Sequence, residues 1–159
     1  MANMKQERFD IDEIQKVIRD SSAETSVYVA CDSVEKSNYT VFVAVVVVHF
    51  DSCHGGRVFK DIVYEPRRMR MRDKLLAEIY KSVETALLIS ESCGERKLQV
   101  HLDVSPHKEH GSNIVFKEGI SYVKAYGLDV VAKHESWAAY CCADHIAKLK
   151  SKRIRRIKK

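Results

Sequence analysis

The apolar positions along this chain change period several times, and each change marks an element. Ile11, Ile14, Val17 and Ile18 fall three and four apart and predict a short amphipathic helix. Asp10 suits its N-cap, Glu13 lies three residues on, and Phe9 with Ile14 forms a hydrophobic staple. Three strand-like runs follow: Ser26 to Asp32, Tyr39 to Phe50, which is β-branched almost throughout, and Arg57 to Tyr64. The turns between them, Val34–Asn38 and Asp51–Gly56, are short and polar, which predicts an antiparallel meander. From Met69 to Ser90 the helical period returns at Met71, Leu75, Leu76, Ile79, Val83, Ala86 and Leu87. Leu98 to Asp103 predicts a fourth strand. A helix capped by Ser112 or Asn113 runs to Tyr126, with Gly127 at its C′ position. Leu128 to Ala132 is a last strand, and Ser136 to about Leu149 a last helix.

The helix after the third strand permits a crossover, so strands four and five lie parallel to strand one. The expected architecture is α/β: a five-stranded mixed sheet, three antiparallel strands then two parallel ones, flanked by helices. At 159 residues the chain fits one domain.

Charge changes this picture at one end. From Lys148 to Lys159 there are eight Lys or Arg and no acid. The rest of the chain has 19 bases against 22 acids, a net of −3, so the overall +5 is an acidic body joined to a basic tail. Such a tail meets a polyanion, nucleic acid first and an anionic membrane surface second. No apolar run is long enough to span a bilayer, and the charged start MANMKQERFD carries no secretory pattern. Five cysteines without a C-x-x-C pair suit reduced thiols in a cytoplasm.

The candidate chemistry is acidic. Asp32 ends strand one and Asp103 ends strand four. If these strands are parallel neighbours, the backbones at their ends lie roughly 4.8 Å apart. Leu98, Val100 and Leu102 point one way, and Gln99, His101 and Asp103 the other, which places Asp103 on a polar face. Glu78 on the long helix and Asp144 among the small residues Ala138, Ala139 and Ala143 complete the set. Clustered carboxylates repel each other and need a cation. Oxygen-only ligands suit Mg²⁺ or Mn²⁺, and two such ions support phosphodiester cleavage.

The segments VYVACDS, GGRVF, MRDKLLAEIYKSVETA, VHLDVSP and SWAAYCCADH resemble the YkuK family over about Val27 to Ala147. The resemblance implies a ribonuclease H-like fold and a metal-dependent nuclease. With its helical start and charged end, the chain is expected to divide into a domain over residues 1–150 with a short N-terminal helix and a basic tail at 151–159. Asp32, Asp103 and Asp144 fall where that fold keeps its metal-binding acids. Glu78 and Glu84 both lie in the similar stretch. They are about 120° apart around the helix and cannot both point inward. Glu78 is preferred, because the fold's glutamate lies toward the helix start. His134, in the loop before the last helix, resembles the proton-shuttling histidine of some ribonucleases H.

Nucleic acid is the expected partner. Arg67, Arg68, Arg70 and Arg72 crowd the start of the long helix, where the partial positive charge of the helix end disfavours cations and a phosphate would relieve the conflict. In the tail, Lys150, Lys152, Arg153, Arg155, Arg156, Lys158 and Lys159 are the further candidates for phosphate contact. Two other readings use the same residues: a non-catalytic nucleic-acid-binding module, and a regulatory partner of acidic protein or membrane. A zinc site from His101, Asp103, His107 and His110 lacks a fixed ligand spacing. Cys53-His54 sits in a turn, Gly55-Gly56 is no phosphate loop, and Trp137 is read as core.

Overall fold

The computed structural model describes residues 6–143 and 146–148. Its elements are α1 (Ile11–Asp20), β1 (Ser26–Glu35), β2 (Thr40–His49), β3 (Gly56–Glu65), α2 (Met71–Cys93), β4 (Lys97–His101), α3 (Phe116–Ala125) and β5 (Asp129–Val131). A π-helical turn follows at Ala138–Ala143. The strands form one sheet in the order β3-β2-β1-β4-β5. β1 pairs antiparallel with β2, and β2 with β3. β4 is parallel to both β1 and β5. This is the expected mixed sheet.

The sequence pattern explains the layers. Every residue of β2 except His49 is buried, because helices or turns cover both faces of this strand. Alternation then divides the strands between two cores. Val27, Val29, Val46, Val48 and Val100 face Ile14, Ile18, Leu75, Ile79 and Val83 of α1 and α2. Tyr28, Ala30, Val43, Val45 and Val47 face Ala138, Ala143 and Ala147 on the other side. Each fully buried valine or isoleucine contributes about 1.5–3 kcal/mol. α3 approaches α2 closely at Gly119, where an added Cβ would lie 2.7 Å from Ile79 Cδ1. At α1, Asp10 accepts from the Glu13 N–H at 3.0 Å, as its cap position predicts.

Several boundaries differ from the expected ones. β1 does not end at Asp32 but runs to Glu35, because β2 continues to pair with it as far as Glu35↔Thr40. β4 ends at His101, so Asp103 follows the strand rather than closing it. Ser112 and Asn113 do not cap α3. The Ser112 hydroxyl accepts from the Ser105 N–H at 3.1 Å, and Asn113 Nδ2 donates to the Ser105 carbonyl at 2.9 Å. Both residues are spent tying their 3-10 turn to the segment after β4, and α3 starts at Phe116 without a side-chain cap. The last helix is wound as a π turn at Ala138–Ala143 instead of a continuous α-helix from Ser136. The Ala138 N–H at its start goes to the ring of His101.

Candidate active site

The parallel pairing of β1 and β4 stops at Ala30↔His101. Beyond that pair β1 stays with β2. The chain after β4 stays with the β5 side, through Leu102 N–H to Val131 O (2.9 Å) and Lys133 N–H to Val104 O (3.0 Å). The two segments part company here, at the carboxyl ends of two parallel strands, where ligand sites of open α/β sheets form. Asp32 and Asp103 each lie two residues past the last pair, so they are level across this opening.

A cleft of about 440 Å³ occupies the opening, and Asp32, Glu78 and Asp103 all line it. Lys74, His110, Ser112 and Lys133 line it too. Glu78 reaches it from about two turns into α2, on the side that also buries Leu75, Ile79 and Ser82. Glu84 is exposed and lines a different depression, with Arg8 and Lys81. Of the two glutamates, Glu78 therefore shares a cleft with Asp32 and Asp103. Asp144 and the basic residues from Lys150 onward lie outside the described residues.

Three acids and two lysines share the cleft, and Glu78 is the most buried of the acids. Burial pushes the Glu78 carboxyl well above the usual range, and the charges of Asp32 and Asp103 push it further. A hydrogen bond from Ser33 Oγ to Glu78 Oε1 (2.5 Å) and the nearby Lys74 ammonium act in the opposite direction. The Cys31 thiol is raised as well, by burial first and by Glu78 second. Asp103 Oδ1 is 3.2 Å from Lys133 Nζ.

The donor set, three carboxylates under mutual repulsion, has the chemistry of a hard-cation site. Its arrangement does not complete one. Among the described residues no group of three or more His, Cys, Asp or Glu side chains is disposed to hold a metal ion. Alternation along β1 gives a reason. Ser33 shares the parity of Val29, on the α2 side, and bonds Glu78, whereas Asp32 shares the parity of Tyr28 and Ala30, on the side of the last helix. Glu78 is thus held by Ser33, and Asp103 by Lys133.

The four arginines before and within α2 divide as follows. Arg67 pairs with Glu65 at 3.0 Å, Arg68 with Glu35 at 3.2 Å, and Arg72 with Glu118 at 2.5 Å. Arg70 is exposed at the N-cap position and makes no side-chain cap bond. The neighbouring acids relieve the conflict with the helix end that the sequence alone left to a phosphate.

His101 belongs to the other face of the sheet and to a different kind of site. It is buried against Tyr28 and Trp137, whose ring centroids lie 5.0 and 5.4 Å away and which also touch each other at 4.9 Å. Its Nδ1 accepts from the Ala138 N–H (3.2 Å), so its Nε2–H donates to Gln99 Oε1 (3.0 Å), and Gln99 Nε2 donates to Asp129 (2.7 Å). Burial, with the Lys97 charge second, lowers its pKa to about 4. A neutral, fully bonded imidazole of this kind is a core residue, not the polar-face neighbour of Asp103 that strand parity suggested. His107 and His110 meet edge-to-face, with His110 Nδ1 at 2.8 Å from Ser105 Oγ. His134 is exposed. Sequence reasoning missed Ser33 and Lys133. Ser33 follows Asp32 directly, but its role depends on α2 lying over that strand face. Lys133 carries no local signal at all.

No curated protein and no solved structure matches the chain. A family model described as ribonuclease H-like, the YkuK family model, matches residues 10–148. That span holds all of the sheet and the cleft at its carboxyl edge, and the chain belongs to this ribonuclease H-like family.

Proposed function

We propose that the protein is a metal-dependent nuclease of the reducing cytoplasm, cleaving phosphodiester bonds of RNA or DNA. One observation carries the reading: acids from β1, α2 and the segment after β4 line a single cleft, and the buried Glu78 is strained electrostatically by the other two. Asp32, Glu78 and Asp103, with Asp144, are the residues that would hold Mg²⁺ or Mn²⁺. When bound, the ions supply positive charge to the attacking and leaving oxygens. The chain's own part is to fix the cleft at the strand ends and to orient the phosphate. Lys74, His110 and Ser112 line the same cleft and offer donors for a phosphate oxygen.

Binding to the backbone is assigned to the arginines and the tail. The Arg67, Arg68 and Arg72 pairs are exposed, and exposed pairs contribute only about 0–1 kcal/mol each, so a phosphate readily replaces their acids. The tail offers up to eight further charges. Full use of them on duplex DNA would give a log–log salt slope near about −7, at roughly −0.9 per phosphate.

A second reading, a non-catalytic nucleic-acid-binding module, is favoured by one observation: Ser33 and Lys133 hold two of the carboxylates. Purified protein with Mg²⁺ or Mn²⁺, tested on labelled RNA, DNA, hybrid and junction substrates, separates the two. The nuclease reading expects metal-dependent cleavage, lost in folded Asp32→Asn and Asp103→Asn. Undiminished cleavage by either variant removes that acid from the chemistry. Salt-sensitive binding without cleavage of any substrate establishes the module instead. Arg67, Arg68, Arg70 and Arg72 changed together to Gln should weaken binding and leave the melting temperature nearly unchanged.

A further inference from the structure

Two lysines share the cleft with its acids: Lys74, whose charge acts on Glu78, and Lys133. Lys133 Nζ lies 3.2 Å from Asp103 Oδ1. That oxygen is buried, yet no donor among the described residues meets it with hydrogen-bond geometry. The ammonium therefore acts on Asp103 as a charge rather than as an aligned donor. Its place is set by the backbone, since the Lys133 N–H donates to Val104 O, next to Asp103, at 3.0 Å. The Lys133 side chain is 34% exposed and Asp103 24%, so the pair sits at the rim of the cleft with room to separate.

A lysine side chain is a compact charge on a flexible stem of four carbons. It neutralises one carboxylate without coordinating several. A divalent ion carries twice the charge and needs the oxygen that Lys133 now faces. The two cations compete for Asp103 Oδ1. This also accounts for a cleft that has the donors of a metal site without three of them converging among the described residues.

We propose that Lys133 is a tethered counter-ion: it occupies Asp103 while the cleft holds no divalent cation, and it leaves that oxygen when one enters. The proposal rests on the metal reading above. Lys133 then has two opposed effects. It steadies the metal-free cleft, and it weakens the apparent affinity for metal. Once displaced it stays tied to β5 at the cleft rim, where a phosphate is the next available anion.

The test is Mn²⁺ binding by the full-length protein without substrate, measured by calorimetry on wild type, Lys133→Met and Lys133→Arg, with the metal-free melting temperature of each. The expected result is at least tenfold tighter Mn²⁺ binding by Lys133→Met, a lower metal-free melting temperature for that variant, and near wild-type behaviour for Lys133→Arg. Equal or weaker binding by Lys133→Met, with wild type binding normally, overturns the counter-ion and leaves the metal reading standing. No Mn²⁺ binding by any of the three overturns both. If Lys133→Met does not fold, lysine Cε resonances of the wild type serve instead. Mg²⁺ should shift the Lys133 signal, and an unshifted signal with Mg²⁺ bound overturns the proposal.

Discussion

Glu78 and His101 are both buried ionisable residues, one on each face of the same sheet, and their surroundings treat them in opposite ways. His101 has a partner for each ring nitrogen and packs against two aromatic rings. Glu78 has one short bond from Ser33 and two like charges nearby, opposed in part by the Lys74 ammonium. Burial disfavours the charged form of each, so it raises the acid and lowers the base. The difference lies in what remains unmet. His101 in its neutral form is complete, and its environment asks for nothing further. Glu78 lines a cleft open to solvent in which three acids face two lysines, so its ionised form gains from a further cation. Burial alone does not mark a functional residue; an unsatisfied charge beside open space does.

The largest expected effect tests the structural half of this comparison. His101→Ala removes one ring of the cluster it forms with Tyr28 and Trp137 and leaves the Ala138 N–H without its acceptor. It should cost about 2–5 kcal/mol in chemical denaturation, in line with large-to-small core changes. A loss under about 0.5 kcal/mol would mean that His101 is not a core element, and the contrast with Glu78 would fail.

The pH dependence sharpens the contrast, because the two residues pull in opposite directions. His101 is lowered to about 4 from its ordinary 6.5. Its contribution is therefore fully present above about pH 6.5 and is lost as pH falls through about 4, up to roughly 3 kcal/mol in all. Glu78 is raised above its ordinary 4.5. The fold favours its protonated form, so its contribution is fully present below about pH 4.5 and is lost as pH rises above that. In Glu78→Gln the second term disappears. That variant should melt higher than wild type at neutral pH without metal, and its acid sensitivity between pH 6.5 and 4 should be steeper. A lower neutral-pH melting temperature would show that ionised Glu78 is well satisfied.

Much of the fold was legible because local pattern and tertiary role agree. The β-branched run of β2, the Asp10 cap and the 3.6-residue period of α2 each have one physical solution, and the short turns leave only a meander. The level placement of Asp32 and Asp103 was legible too, since it needs only a parallel β1–β4 pair. The strand ends were not, because β1 outlasts its pairing with β4 through β2 alone. The role of His101 was hidden for a similar reason. An alternating strand shows which side a residue takes, not what covers that side, and here Trp137 and the Ala138 N–H arrive from a helix more than thirty residues on. Lys133 reaches Asp103 only through the pairing of the segments that follow β4 and β5.

The central claim, that the cleft is built for a cation, is tested most directly by thermal melting with and without Mn²⁺ at neutral pH. An ion bound by the folded state alone, at about a hundred times its Kd, adds about 2.7 kcal/mol. A rise of that order is expected in wild type and none in Asp32→Asn, although the variant itself should melt slightly higher than wild type without metal. An unmoved wild-type melting temperature, or an equal rise in Asp32→Asn, would contradict the claim.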